Sequence, residues 1–208
     1  MLSSDFFLNC LIKNNINFFT GVPDSLLKNF VNLVNDKIQP PMHITSPTEG
    51  SAVGLAIGNY LSTGKMSLVY LQNSGLGNTV NPLLSLADKN VYGIPMILLV
   101  GWRGKPGTKD EPQHFTQGLV TIDMLNSMQI PYSIINKEFS NSETENLIIK
   151  ACSESFKNKN PYVILVEENT FEKYVDFKLV SSNDFISREE ALETCIKSIP
   201  DNSIIIST

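Results

Sequence analysis

Apolar runs alternate with segments of helical spacing along most of this chain. Several runs are apolar at every position, which is typical of parallel strands covered by helices on both faces. We therefore expect an α/β fold with an open, mostly parallel sheet and helices on both faces. A first helix is expected around residues 6–12. The strand candidates are 17–20, 42–45, 67–71, 95–100, 132–135 and 162–167, and the further helix candidates are 24–35, 49–61, 78–89, 119–128 and 142–157.

The pattern changes after Glu167. Residues 169–184 are polar and irregular, and they precede a short helical pattern at 187–198 and an apolar run at 203–206. We interpret residues 1–168 as one domain, 169–184 as a linker and 185–208 as the start of a second, truncated domain. The alternative is that the last run adds an edge strand to the same sheet.

Glu49 is the most informative residue, because it opens a helix whose positions 52–58 are all small or apolar. Such a helix is expected to be buried nearly all round. Burial disfavours an ionised carboxylate, whereas the positive end of a helix favours one, and proton-transfer groups are often balanced in this way. The alternative is that Glu49 only caps the helix.

Two short loops follow strands, where ligands of open α/β sheets bind. Residues 21–25 open a helix with Asp24 or Ser25 as the N-cap, and the Ser25 hydroxyl could meet an anionic ligand. Residues 72–78 contain two glycines, Gly75 and Gly77, which permit close backbone approach. This loop lacks the spacing of a dinucleotide fingerprint and the lysine of a P-loop.

A third loop, 101–117, is the longest and most polar, which is typical of a lid or binding loop. It gathers Arg103, Lys105, Lys109 and His114 in an otherwise acidic protein. Arginine suits bidentate contact with a phosphonate, sulfonate or carboxylate, whereas lysine acts as a point charge. The alternative is a solvated loop in which Asp110 and Glu111 balance the cations.

Composition narrows the function classes. A chain of 208 residues with 42% hydrophobic content can bury a full core, and its net charge of −5 argues against a nucleic-acid surface. No apolar run approaches the roughly 20 residues that span a bilayer, so we expect no membrane association and a cytoplasmic location.

The two histidines are not spaced as a zinc pair, so no metal site is expected in this chain. Three separated cysteines, Cys10, Cys152 and Cys195, are interpreted as reduced packing residues.

Four segments together resemble the phosphonopyruvate decarboxylases, a thiamine-diphosphate-dependent family close to the sulfopyruvate decarboxylases. They run in order to about His114, and the segment from Gly101 to His114 is the most family-specific. The segments are Phe18-Phe19-Thr20-Gly21-Val22-Pro23-Asp24-Ser25-Leu26-Leu27, Ser46-Pro47-Thr48-Glu49-Gly50, Asn73-Ser74-Gly75-Leu76-Gly77-Asn78 with Val80-Asn81-Pro82-Leu83, and Gly101-Trp102-Arg103-Gly104 with Lys109-Asp110-Glu111-Pro112-Gln113-His114.

The resemblance implies a domain that binds the aminopyrimidine ring of thiamine diphosphate. Glu49 matches the superfamily's activating glutamate, which hydrogen-bonds the ring nitrogen N1′ and so lets the ring's amino group remove the thiazolium proton. The implied reaction converts 3-phosphonopyruvate to phosphonoacetaldehyde and CO₂. The expected cofactor contacts are Glu49, Asn73, Ser74 and Gly75, and the expected substrate contacts are Ser25, Arg103, Lys105 and His114.

One departure from the family limits that expectation. Single-chain members carry a second domain whose Gly-Asp-Gly motif and following Asn hold the diphosphate through Mg²⁺, and this sequence has no Gly-Asp-Gly. The chain would therefore supply half of a site, completed by a diphosphate-binding domain or subunit in an oligomer. Two alternatives remain open: the α subunit of a sulfopyruvate decarboxylase, and a non-catalytic association module.

Overall fold

The apolar runs form the centre of a six-stranded, all-parallel sheet in a computed structural model that describes residues 1–174, 186–200 and 202–205. The strand order is β2-β1-β3-β4-β6-β5. The strands are β1 Phe18–Gly21, β2 His43–Thr45, β3 Ser67–Gln72, β4 Ile97–Gly101, β5 Tyr132–Ile135 and β6 Tyr162–Val166. The α/β prediction is therefore confirmed.

The described residues contain seven α-helices. They are α1 Ser4–Lys13, α2 Lys28–Lys37, α3 Glu49–Thr63, α4 Leu76–Pro82, α5 Pro112–Ser127, α6 Asn141–Asn158 and α7 Arg188–Ser198. Helix α1 precedes β1, and the others connect or follow the strands. One turn of 3₁₀-helix, Asn73–Gly75, leads from β3 into α4, and a π-helical segment, Leu83–Ala87, extends α4.

Side chains of the central strands alternate between two hydrophobic layers. Along β3, Leu68 and Tyr70 face the layer built with α1, α2 and α6, whereas Val69 and Leu71 face the layer built with α3, α4 and α5. All four are fully buried. The helices on both faces exclude water from the sheet, which is why these strands need no polar positions.

The chain separates into two units, Met1–Tyr174 and Val175–Thr208. The first unit continues past the predicted boundary at residue 168, because Phe171 is buried, forms a β-bridge with Leu2 and stacks on Phe30 at 5.5 Å. In the second unit, Ser187 and Glu190 form a capping box that begins α7, which lies within the helix predicted at 187–198. Residues 203–205 are not a strand; residue 206 and the predicted linker from 175 to 184 lie outside the described residues.

Two predicted boundaries are wrong. The loop expected over 101–117 ends earlier, because α5 begins at Pro112, where proline's missing N–H and fixed φ suit the first helical position. Helix α2 begins at Lys28 rather than at residue 24, and its N-cap is Leu27 without a side-chain cap. The Asp24 carboxylate instead accepts a hydrogen bond from Leu26 N–H at 3.0 Å, which stabilises the preceding turn.

The prediction that α3 is buried nearly all round is also wrong. Its inner face, with Ala52 and Val53, is fully buried, but Gly54, Leu55 and Gly58 on the opposite face are exposed. The apolar composition of α3 does not indicate which faces of this helix are covered by the rest of the chain.

No helix of the described residues is long and apolar enough to cross a membrane. The predicted cytoplasmic location stays a prediction.

A buried polar pair links the edge strand β2 to the third strand. His43 Nε2 lies 2.8 Å from the Tyr70 hydroxyl. The Tyr70 ring packs on Gly21 of β1, where a Cβ would lie 2.6 Å from the ring, so only glycine fits against it. His43 is 8% exposed, and burial lowers the pKa of its imidazole below the usual 6.5.

We expect this histidine to make folding sensitive to acid. Below pH 6.5 the unfolded chain takes up a proton that the buried, neutral His43 does not, so stability falls as the pH decreases. His43→Gln removes that proton and should lose less stability between pH 7 and pH 5, by up to about 1.4 kcal/mol per pH unit. Urea unfolding of both proteins across this range measures the difference; parallel curves would contradict it.

Candidate functional site

The candidate residues gather at the carboxyl edge of the sheet. Because all six strands are parallel, the residues after β1, β2, β3 and β4 leave the sheet on the same side. Ser25 follows β1, Glu49 follows β2, Asn73 follows β3 and Arg103 follows β4. The fold thus brings together segments that are far apart in the sequence.

Glu49 is the first residue of α3. Thr48 caps this helix by accepting a hydrogen bond from Ser51 N–H at 3.2 Å, so the Glu49 carboxylate is free for other contacts. Asn78 Nδ2 donates to Glu49 Oε2 at 2.8 Å. Glu49 Oε1 has no hydrogen-bond partner among residues of the described ranges and lies against Gly75.

Gly75 leaves the space that the Glu49 side chain occupies. A Cβ at Gly75 would lie 2.4 Å from Glu49 Oε1 and 2.6 Å from its carboxyl carbon. The absence of a side chain at this position, rather than a left-handed φ, is what the site requires. Gly75 and Asn78 together hold the carboxylate in one orientation.

Asn73 connects the end of β3 to the loop after β4. Its side chain is 1% exposed and pairs with the backbone of Arg103 in both directions: Oδ1 accepts from Arg103 N–H at 3.1 Å, and Nδ2 donates to Arg103 O at 2.9 Å. Nδ2 also donates to Thr121 Oγ1 of α5 at 2.9 Å. The amide is committed within the chain, and a role for Asn73 in cofactor binding stays a prediction.

Ser74 takes part in a second small network. Its hydroxyl donates to Gln72 Oε1 at 2.6 Å, and Gln72 Nε2 donates to Asp24 Oδ1 at 2.8 Å. Asp24 is buried, so the network ties the loop after β1 to the end of β3. The Ser74 hydroxyl itself lies at the surface.

Arg103 is held by a carboxylate and a hydroxyl. Its Nε donates to Asp110 Oδ2 at 2.8 Å, its Nη2 donates to Asp110 Oδ1, and its Nη1 donates to Ser25 Oγ at 2.6 Å. The hydrogen bonds from Arg103 hold the pKa of the Asp110 carboxyl well below its usual range. The same pairing raises the pKa of the Arg103 guanidinium.

A cavity of about 470 Å³ lies beside these groups. Ser25, Arg103 and Lys105 line it together, and their role in substrate binding stays a prediction. Lys105 Nζ contacts Glu167 Oε1 at 2.5 Å, so this cation is also paired. His114 does not line the cavity; it lies in the first turns of α5, which the sequence placed in a loop.

Sequence reasoning missed several supporting residues. The sequence indicates Asp110 only as a balancing charge and as one residue of a motif. It indicates Asn78 only as one residue of a motif. Gly118 was not singled out, yet a Cβ there would lie 1.6 Å from the Gly104 carbonyl oxygen, so α5 and the loop meet backbone to backbone. No local sequence signal marks this contact, because it joins residues whose approach depends on where α5 begins.

No group of three or more His, Cys, Asp or Glu side chains within the described part of the chain could hold a metal ion. Cys10 and Cys152 are buried free thiols, and burial raises the pKa of Cys152 to about 12. Both pack in the same hydrophobic layer of the core, as predicted for packing residues. Cys195 is free as well, but exposed.

Comparison with known families gives this geometry a context. The family described as "Thiamine pyrophosphate enzyme, N-terminal TPP binding domain" matches residues 1–126, more than half of the chain. The chain belongs to this family. The match includes Glu49, Asn73–Gly75 and Arg103, so the residues just described lie within the TPP-binding domain.

Curated relatives of this TPP-binding domain are decarboxylases. A phosphonopyruvate decarboxylase of Streptomyces viridochromogenes is 36% identical over 151 residues, which cover 71% of this chain and 36% of that protein. A sulfopyruvate decarboxylase subunit alpha of Methanococcus maripaludis is 30% identical over 167 residues, which cover 80% of this chain and 95% of the subunit. The chain thus spans about a third of the phosphonopyruvate decarboxylase and nearly all of the alpha subunit.

A solved structure shares the fold at lower identity. The thiamine diphosphate-dependent 4-hydroxybenzoylformate decarboxylase of Rhodococcus jostii RHA1 aligns with a TM-score of 0.55 and 18% identity, covering 93% of this chain and 36% of that one. At this identity the likeness concerns the α/β architecture alone.

We expect Gly75→Ala to displace the Glu49 carboxylate while leaving the domain folded. The new Cβ would occupy the position of a flexible side-chain end, so Glu49 can rotate away at little cost in stability, but its hydrogen bond to Asn78 would break. Gly77→Ala is the matched control, because a Cβ there meets nothing within 4 Å.

Crystal structures and thermal melts of the two variants test this expectation. Both proteins should melt near the wild-type temperature, with Gly77→Ala slightly higher because alanine favours a helix by about 1 kcal/mol. Only Gly75→Ala should show a moved carboxylate. An unmoved Glu49 would mean that Gly75 has no part in orienting it.

Proposed function

We propose that this chain supplies the pyrimidine-binding half of a thiamine-diphosphate-dependent site that decarboxylates 3-phosphonopyruvate to phosphonoacetaldehyde and CO₂. The observation that carries the proposal is the Glu49 carboxylate, fixed by Asn78 at the start of α3, within a domain of the thiamine pyrophosphate enzyme family. The names of the relatives support decarboxylation as the reaction class.

The residues around Glu49 fit the aminopyrimidine ring of this cofactor. Gly75 leaves room for the Glu49 carboxylate itself, and Oε1, which has no partner among the described residues, would accept a hydrogen bond from the ring. Glu49 would hold a proton at the ring nitrogen N1′, a task for which a carboxylate at a helix N-terminus is suited. When bound, thiamine diphosphate supplies the electron sink for decarboxylation.

The cavity beside Arg103 is the proposed site for the phosphonate of the substrate. Ser25 and Arg103 offer hydroxyl and guanidinium donors, and Lys105 offers an ammonium group, at the same edge of the sheet as Glu49. Donors of these types suit the oxygens of a dianion. His114 lies apart from the cavity and is not included.

The site is proposed to be completed by a diphosphate-binding domain that holds the cofactor diphosphate through Mg²⁺. The name "subunit alpha" of the Methanococcus maripaludis relative supports a complementary partner for chains of this kind. We further propose that the complete enzyme is a cytoplasmic oligomer acting on a small 2-oxo acid.

Sulfopyruvate is the second candidate substrate. The chain is 30% identical over 167 residues to a protein named sulfopyruvate decarboxylase subunit alpha, beside 36% over 151 residues to a phosphonopyruvate decarboxylase. Phosphonate and sulfonate differ by one negative charge near neutral pH, so the turnover of the two substrates by the completed enzyme distinguishes the alternatives.

Glu49→Gln is expected to lower decarboxylation by about 10²–10⁴-fold, as for the loss of a general acid or base. The assay uses the chain with thiamine diphosphate and Mg²⁺, alone and mixed with a separately expressed diphosphate-binding domain. Activity is expected only in the mixture. Glu138→Gln, a substitution at an exposed glutamate outside the cavity, is the control and should retain wild-type activity.

Near-normal turnover of Glu49→Gln would remove this residue from the proposed mechanism. Inactivity of the wild-type mixture, with the two domains shown to associate, would instead favour an association module or another substrate.

Arg103→Ala is expected to raise the KM for 3-phosphonopyruvate by about 10–100-fold, since a hydrogen bond to a charged group is worth roughly 1.5–3 kcal/mol. The KM for pyruvate, which has no phosphonate, should change much less. Steady-state kinetics of the completed enzyme with both substrates measures this. An equal effect on both KM values would place the phosphonate elsewhere.

A further inference from the structure

Asp110 is the most heavily used carboxylate at the candidate site. Besides Nε and Nη2 of Arg103, it accepts hydrogen bonds from Gly104 N–H at 2.7 Å and Glu111 N–H at 2.8 Å. Its side chain is 14% exposed. Two charged and two backbone donors therefore surround one carboxylate, and its acceptor positions are filled.

This pairing is unexpected beside a proposed anion site. A carboxylate that neutralises the arginine weakens the long-range attraction for a dianion. Displacement of Asp110 by an incoming anion would separate a largely buried ion pair and leave the N–H groups of Gly104 and Glu111 without a partner, which is costly. Asp110 is therefore expected to stay in place when an anion binds.

The pair leaves part of the guanidinium available. Of the five N–H donors of an arginine, Arg103 uses one on Nε, one on Nη2 and one on Nη1 toward residues of the described ranges. One N–H on each terminal nitrogen remains. Ser25 Oγ accepts from Nη1, so its own proton is also free to be donated. Both residues line the cavity, and we call the two remaining guanidinium N–H groups the fork.

The backbone of Arg103 is fixed as firmly as its side chain. The buried Asn73 amide holds its N–H and its C=O, and the next residue, Gly104, has a φ of +65° and packs against Gly118 of α5. An arginine held at both ends has little rotamer freedom left to lose when a ligand binds. The affinity of Arg103 for an anion is then expected to come mainly from the fixed orientation of its guanidinium, rather than from the net charge of the cavity.

From this arrangement we propose that Asp110 is a positioning residue, which holds the Arg103 guanidinium as a preformed fork for the phosphonate oxygens of the substrate. The inference rests on the proposed function for the identity of the anion. It makes Asp110 a determinant of specificity, although Asp110 lines the same cavity and carries the same sign of charge as the ligand.

Removal of Asp110 tests this proposal because the two possible roles predict opposite signs. If Asp110 only neutralised Arg103, Asp110→Asn would add one positive charge to the cavity and tighten anion binding. If Asp110 positions Arg103, the same change weakens binding, because a carboxamide cannot accept from all four donors. We expect methylphosphonate to bind the Asp110→Asn chain about tenfold more weakly than the wild type.

The binding assay is calorimetric titration of the 208-residue chain with methylphosphonate, with acetate and thiamine diphosphate titrated in parallel. Asp123→Asn, at an exposed position of α5 outside the cavity, is the control and should bind as the wild type does. Thermal melts establish that each variant is folded. Arg103→Lys keeps the positive charge but not the fork, so it should also lose affinity even if Asp110→Asn fails to fold.

Unchanged or tighter binding of methylphosphonate by Asp110→Asn would overturn the proposal, as would no binding by the wild-type chain. An equal loss of thiamine diphosphate affinity would assign the fork to the cofactor diphosphate and overturn it as well. In the completed enzyme, Asp110→Asn should raise the KM for 3-phosphonopyruvate with little change in kcat. This readout is separate from the proposed function, whose failure would appear as absent turnover by the wild type.

Discussion

The hydrogen bonds of the buried Asn73 amide are the constraint on which the candidate site depends. They fix the single turn of 3₁₀-helix, Asn73–Gly75, between two functional regions. At one end of the turn the amide holds the backbone of Arg103; at the other, Gly75 lies against the Glu49 carboxylate. A change in the path of this turn would move both regions at once, which couples the proposed cofactor and substrate contacts mechanically.

The ion pairs at the cavity differ in kind from surface salt bridges. Exposed pairs contribute little to stability, because water and side-chain entropy offset the attraction. The Arg103–Asp110 pair is mostly buried and shares its carboxylate with two backbone N–H groups, so its geometry is defined by several mutually dependent bonds. Such a cluster serves orientation more than stability, because a buried charge pair must also repay its desolvation.

Much of the fold follows from periodicity. The central strands could be predicted because burial on both faces requires apolar side chains at every position, as in β4 and β6. The position of Glu49 at the start of α3 could be predicted from the apolar residues that follow it. The start of α5 at Pro112 could not be predicted, because the polar residues before it are equally suited to a loop. For the same reason His114, which lies in α5, was placed in a loop. The pairing of Arg103 with Asp110 could not be found, because two loop residues seven positions apart have no fixed spacing in space.

Local balance of charge at the cavity also bears on how a ligand would arrive. Asp110 and Glu167 neutralise Arg103 and Lys105 at close range, and the whole chain carries a net charge of −5. Beyond a Debye length of about 8 Å, a dianion approaching this domain meets no attractive field. Encounter would then occur against a net repulsion, so its rate is expected to rise with ionic strength, and selectivity would arise only after the ligand reaches the cavity wall.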